Sequence, residues 1–130
     1  MPTPRIYPVL KYDDAHAAMD FLERAFGFER LAVHEDDSGK VVHAELRFGD
    51  DIVGLSSTGA GNPVFDQGAH STIVYVAVDE VDSLHERAKG AGADIVMEPE
   101  DQDYGSRDFA ARDPEGNIWS FGTYRLGQEG

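Results

Sequence analysis

Apolar and polar positions alternate over short runs along most of this chain, and only two stretches repeat at helical spacing. Ile6 to Tyr12, rich in β-branched and aromatic residues and bounded by Pro4 and Asp13-Asp14, predicts a strand. Asp14 then suits the cap of a helix through Phe26, with Ala15, Ala18, Met19, Leu22 and Phe26 on one face and His16, Asp20 and Glu23 on the other. Gly27 is placed to end it in the left-handed conformation. Three strand-like runs follow, Arg30–Glu35, Val41–Phe48 and Ile52–Ser57, separated by Asp36-Asp37-Ser38-Gly39 and Gly49-Asp50-Asp51 as turns.

The order then repeats after a Gly-bearing linker, Thr58–Ala69. Ser71–Val78 predicts a strand, and Val81–Ala91 a helix with Val81, Leu84, Ala88 and Ala91 on one face, closed by Gly90 and Gly92. Asp94–Met97, Arg107–Arg112 and Ile118–Tyr124 predict three further strands, with Asp113-Pro114-Glu115-Gly116-Asn117 as a turn. Asp14 and Asp79, read as the two helix starts, lie 65 residues apart, as do Gly27 and Gly92. Two copies at that period describe a duplicated module rather than a solenoid. The expected architecture is α+β: one domain of two β-α-β-β-β modules, about 6–57 and 70–124, forming curved mixed sheets around a cleft.

Charge narrows the partners. Eleven Lys and Arg against 25 Asp and Glu give the 130-residue chain a net charge of −14, which repels a phosphate backbone and an anionic membrane surface. Zero cysteines remove disulfides, thiolate catalysis and Cys-ligated zinc. No apolar run approaches membrane-spanning length and the first residues do not form a secretory signal, so a cytoplasmic protein is expected. Gly59-x-Gly61 and Gly90-x-Gly92 lack the remainder of any phosphate-loop motif, and no serine stands in a nucleophile-elbow context.

The paired module order, Tyr12-Asp13-Asp14 leading into a helix with Asp20-Phe21, and Asp113-Pro114-Glu115-Gly116-Asn117 before the last strand resemble the vicinal oxygen chelate superfamily. That group includes glyoxalase I, extradiol dioxygenases, fosfomycin-resistance proteins and bleomycin-binding proteins. The ending Asn117–Tyr124 looks most like the antibiotic-binding branch. The resemblance implies a homodimer with clefts shared between subunits. It also implies, in metal-dependent members, one His, Gln or Glu ligand on each of the first, fourth, fifth and eighth strands. Those positions read Tyr7, Gly54, Ile73 and Ser120 here, so no cofactor is expected. His70 would be nominated only by a three-residue shift that turns it to the other face of its strand.

Val41–Phe48 alternates with Ala44, Leu46 and Phe48 toward a helix and His43, Glu45 and Arg47 on the opposite face, a polar wall for a ligand. The same parity turns Tyr7, Tyr75 and Tyr124 toward the cleft, flat surfaces suited to an aromatic or cationic molecule. Trp119 falls on the helix side by parity and joins the candidates through its use in near relatives; Ser120 and Tyr104 complete the set. Two loops suit a lid: Asp66–His70 beside Phe65, and Glu100–Ser106 with Asp101, Asp103 and Tyr104 on a Gly105 hinge. The expected function is metal-independent binding and sequestration of a bulky aromatic small molecule. The competing expectation is a lyase, isomerase or dioxygenase with a displaced metal on His43 and Glu45, which His34 joins if its strand is a neighbour.

Overall fold

A computed structural model describes residues 5–65 and 71–125. The chain divides into two compact units, Met1–His70 and Ser71–Gly130, each holding one four-stranded mixed sheet and one helical segment. The predicted α+β class and the β-α-β-β-β order of both modules are what the structure shows.

In the first unit β1 (Val9–Tyr12) leads into α1 (Ala15–Phe21), and β2 (Glu29–Glu35), β3 (Val41–Phe48) and β4 (Asp51–Ser57) follow. The sheet order is β1-β4-β3-β2, with β1 parallel to β4 and the other pairs antiparallel. β1 begins two residues after Tyr7 because Pro8 has no N–H to give the ladder; its carbonyl instead accepts from Gly54 N at 2.8 Å. Asp14 caps α1 as expected, accepting from Ala17 N at 3.0 Å. Leu10, Tyr12, Met19, Leu22, Phe26, Leu46 and Leu55 are buried together as the core of this unit.

The second unit repeats the plan with β5 (Ile73–Ala77), α2 (Val81–Gly90), β6 (Asp94–Asp101), β7 (Arg107–Arg112) and β8 (Ile118–Gly122), in sheet order β5-β8-β7-β6. Trp119, Phe109, Phe121 and Ala111 are fully buried on the helix-side face, with Phe109 and Phe121 stacked at 5.2 Å. From α2 the buried residues are Val81, His85 and Ala88. His85, one helical turn after Val81, takes the core place expected of Leu84, its ring edge-on to Phe109 at 5.4 Å. Its nitrogens lie 3.2 Å from Glu86 and 2.8 Å from Glu98.

Two expected boundaries are corrected by backbone geometry. α2 starts at Val81 as expected, but its N-cap is Glu80, not Asp79, whose carboxylate pairs with Arg125 instead. Glu80 lies 66 residues after Asp14, the displacement that also relates Val9 to Tyr75 and Gly54 to Ser120 in the two parallel ladders. The 65-residue spacing of Gly27 and Gly92 arises because Leu22–Phe26 is π-helical: an i→i+5 turn closes over one more residue than an α turn, so the first helix is longer by one. β6 runs to Asp101, well past Met97: its exposure alternates as far as Pro99, but Glu98, Pro99, Glu100 and Asp101 carry no apolar alternation to mark the strand. Pro99 is tolerated there since β6 is an edge strand.

Three hairpin turns share one design. Asp36–Lys40, Gln102–Ser106 and Asp113–Asn117 each close with an amide of the first residue on the carbonyl of the fifth, and the fourth residue is glycine at φ 88, 90 and 92. Glu100–Ser106 is therefore the end of a strand and a tight turn, not the hinged lid expected. The other expected lid, Asp66–His70, lies outside the described residues.

Candidate functional site

Each sheet has a face turned away from its own helix, and the strand alternation decides what stands there. In the first unit His43, Glu45 and Arg47 share that face, as their spacing predicts. His43 Nε2 lies 2.9 Å from Glu45 Oε2, with both side chains a little over one-third exposed. His34 is directly opposite His43, and the two rings stack at 6.2 Å. Arg47 reaches Glu29, its cross-strand partner, at 3.3 Å. Gly54 sits between Val9 and Glu45, and a Cβ there would come within 3.1 Å of Val9. Tyr7 is exposed just before β1.

The second unit carries a denser arrangement, centred on a residue that sequence reasoning missed. Asp108 lies on the open face of β7 opposite Gly122 yet is only 5% exposed. Its Oδ2 accepts from the Tyr104 hydroxyl at 2.7 Å and its Oδ1 from the Ser106 hydroxyl at 2.5 Å. Ser106 Oγ in turn accepts from Tyr124 N at 3.1 Å. Tyr75 donates to the Tyr124 carbonyl at 3.1 Å, and the rings of Tyr104 and Tyr124 meet edge-to-face at 5.8 Å. Three of the predicted tyrosines thus converge around one carboxylate. Its hydrogen bond to Tyr104, aided by desolvation and the nearby negative charge, pushes that phenol up to about 12.

Gly122 makes the arrangement possible. A Cβ there would lie 1.8 Å from Asp108 Oδ1 and 2.6 Å from Tyr75 Oη. A glycine inside a strand signals such a close approach, and together with an aspartate at an open-face position it was the available clue. Ser120 stands one pleat away, half-buried, between Tyr75 and Ala110 in the register.

Trp119 is corrected out of this face. It is fully buried on the helix side, and its indole N–H donates to Asp113 Oδ2 at 3.1 Å. The same carboxylate accepts from Glu115 N, Asn117 N and Asn117 Nδ2 at 3.0, 3.0 and 3.1 Å, while Asn117 Oδ1 accepts from Thr72 N at 2.9 Å. The Asp-Pro-Glu-Gly-Asn segment is thereby a structural knot that fixes the start of β8.

The duplicated modules, the parallel β1–β4 and β5–β8 pairs and this turn can be compared with known proteins. The family model described as the Glyoxalase/Bleomycin resistance protein/Dioxygenase superfamily matches residues 7–121. The chain belongs to that superfamily. An uncharacterised protein of Mycobacterium tuberculosis is 35% identical over 126 residues, covering 92% of this chain and 74% of the relative. The crystal structure of TioX from Micromonospora sp. ML1 superposes with a TM-score of 0.81 at 35% identity, over 94% of this chain and all of TioX. A glyoxalase I variant from Zea mays shares the fold, with a TM-score of 0.72 at 24% identity over 92% of this chain and 44% of that one.

The metal of the superfamily's metal-dependent members does not fit the residues present. Gly54 and Ile73 offer no donor, Tyr7 precedes its strand, and Ser120 is a lone hydroxyl. Among the described residues no three His, Asp or Glu side chains gather closely enough to hold a metal ion, the His34–His43–Glu45 group included. Among the same residues no helix is long and apolar enough to cross a membrane.

Proposed function

We propose that this superfamily member is a cytoplasmic homodimer that binds a bulky aromatic small molecule without a metal ion and acts by sequestering it, as an antibiotic-binding protein does in conferring resistance. The observation that carries the reading is the tyrosine cluster on the open face of the second unit. Tyr75 and Tyr104 are exposed, at 38% and 62%, yet their hydroxyls are anchored, so the rings are held as rigid stacking surface at little entropic cost. Ser120 extends that face; within the first unit, His43, Glu45 and Arg47 on the open face of β3, and Tyr7 just before β1, are further candidate ligand contacts. The donor-poor metal positions support the metal-free half of the proposal.

Isothermal titration of EDTA-treated protein against a panel of polycyclic aromatic compounds tests it. Saturable heat at micromolar concentration is expected, weakened at least tenfold by Tyr75→Ala with Tyr104→Ala; silence across the panel overturns the reading. Stoichiometric Zn, Ni, Mn or Fe in protein purified without chelator, lost in His43→Ala, would establish the metal-dependent enzyme instead. Sedimentation as a monomer at micromolar concentration would remove the dimer. Support for the dimer comes from the exposed apolar residues Ile6, Tyr7, Val9 and Ile73 on or beside the edge strands β1 and β5.

A further inference from the structure

The direction of the hydroxyl protons in the second unit defines the chemistry of what it binds. A phenol oxygen has one proton to give and lone pairs with which to accept. Tyr104 gives its proton to the Asp108 carboxylate, and Tyr75 gives its proton to the Tyr124 carbonyl; neither partner can donate in return. Ser106 likewise gives its proton to Asp108, while receiving the Tyr124 amide and, at 3.4 Å, the Thr123 hydroxyl. The hydroxyl protons of Tyr75, Tyr104 and Ser106 thus all run to one buried carboxylate or one carbonyl. The hydroxyl oxygens of Tyr75 and Tyr104, both exposed residues, are therefore left with lone pairs alone.

The local charge has the matching sign. Asp108 takes hydroxyl donors, whereas Arg107 pairs with Asp82 and Asp101, Arg112 with Asp94 and Arg125 with Asp79. Glu100 is the cross-strand partner of Asp108 and is exposed beside it, a like-charge pairing that a cation on this face relieves. The Tyr104 phenol, held up at about 12, stays protonated across the physiological range, so the proton directions do not change there. Phenols that donate to a carboxylate are also richer in electron density, which strengthens the attraction of their ring faces for a cation.

From this geometry we infer that the second-unit face selects ligands bearing a hydrogen-bond-donating cation, a protonated amine or amidine attached to the aromatic body, which donates to Tyr75 Oη and Tyr104 Oη and lies against the Tyr104–Tyr124 rings. The inference rests on the binding face proposed above and names the ligand class that face prefers.

Three probes of one shape separate its parts: 9-aminoacridinium, which carries charge and N–H donors; N-methylacridinium, which carries charge alone; and acridine at pH 8, which carries neither. Titration calorimetry should rank them in that order, with 9-aminoacridinium tighter than acridine by about tenfold or more, the worth of one charged hydrogen bond. Tyr104→Phe and Tyr75→Phe each keep the ring and remove one acceptor. Each should shrink the 9-aminoacridinium-to-acridine affinity ratio severalfold, a ratio taken within each variant so that any loss of ring anchoring, felt by both probes alike, cancels. Equal binding of all three probes, or a preference that survives both variants, overturns this inference and leaves the binding face standing. Failure of all three to bind removes the binding face as well.

Discussion

Replacing Asp113 with alanine tests whether the turn before β8 is a structural knot, and the chain supplies its own control. Asp113 is 4% exposed and accepts from three N–H groups of buried residues, Asn117 N, Asn117 Nδ2 and Trp119 Nε1, besides the half-buried Glu115 N. Each buried donor left unpaired costs about 1–3 kcal/mol, and water entering the vacated space recovers part of that. The expected loss is about 3–5 kcal/mol, a large share of the roughly 5–15 kcal/mol that a domain commands. With an unfolding entropy of about 2.1 cal/mol/K per residue, a loss of about 4 kcal/mol lowers Tm by about 15 °C. Asp36 occupies the same place in the same turn, accepting from Ser38 N, Ser38 Oγ and Lys40 N at 2.9, 2.7 and 3.1 Å, but on the surface. Asp36→Ala should lose far less, because water replaces the carboxylate at once. Urea unfolding is the assay, followed by the fluorescence of Trp119, the only tryptophan, and by far-ultraviolet circular dichroism. Equal losses in the two variants, or a loss below about 1 kcal/mol for Asp113→Ala, would refute the assignment of its role to burial.

Gly122→Ala should cost about 1–3 kcal/mol by overpacking, since its Cβ lands on Asp108 Oδ1; wild-type stability in urea would show that the carboxylate is free to move aside. The phenol titration present in the wild type and absent from Tyr104→Phe should have its midpoint near 12, and fall toward 10 in Asp108→Ala, read by phenolate absorbance. Because that folded-state value is raised, the stability contributed by the protonated phenol is present below about pH 10 and lost as pH rises toward 12. At Asp36 the sign reverses. Its carboxyl is held below 3.8, chiefly by the Ser38 hydroxyl, so its contribution is present above that pH and lost as pH falls through the folded-state value. The stability gap between wild type and Asp36→Ala should accordingly close in acid, and a gap constant from pH 6 to acid unfolding would contradict the bond's role.

Periodicity alone determined the element order, the α+β class, the Asp14 cap, the glycine ends of both helices and the helix-side placement of Trp119 and Phe121. These depend on neighbours within a turn or a pleat, which the chain order itself places together. Alternation also put His43, Glu45 and Arg47 on one face, and Tyr75 opposite the helix. What escaped it required strands to be brought side by side. The second helix began at Val81 as expected, but its cap was misread by one residue because the Asp79 carboxylate is drawn off to Arg125. The length of β6 was hidden because Glu98-Pro99-Glu100-Asp101 continues the strand with no apolar alternation. Asp108 looked like an ordinary strand residue until β8 placed Gly122 beside it and the 102–106 turn folded Tyr104 and Ser106 onto its oxygens. Asp113 is buried by its own turn, but Asp108 needs the sheet register, which sets Gly122, 14 residues on, opposite it and so leaves room for its carboxylate under the Tyr104 and Ser106 hydroxyls.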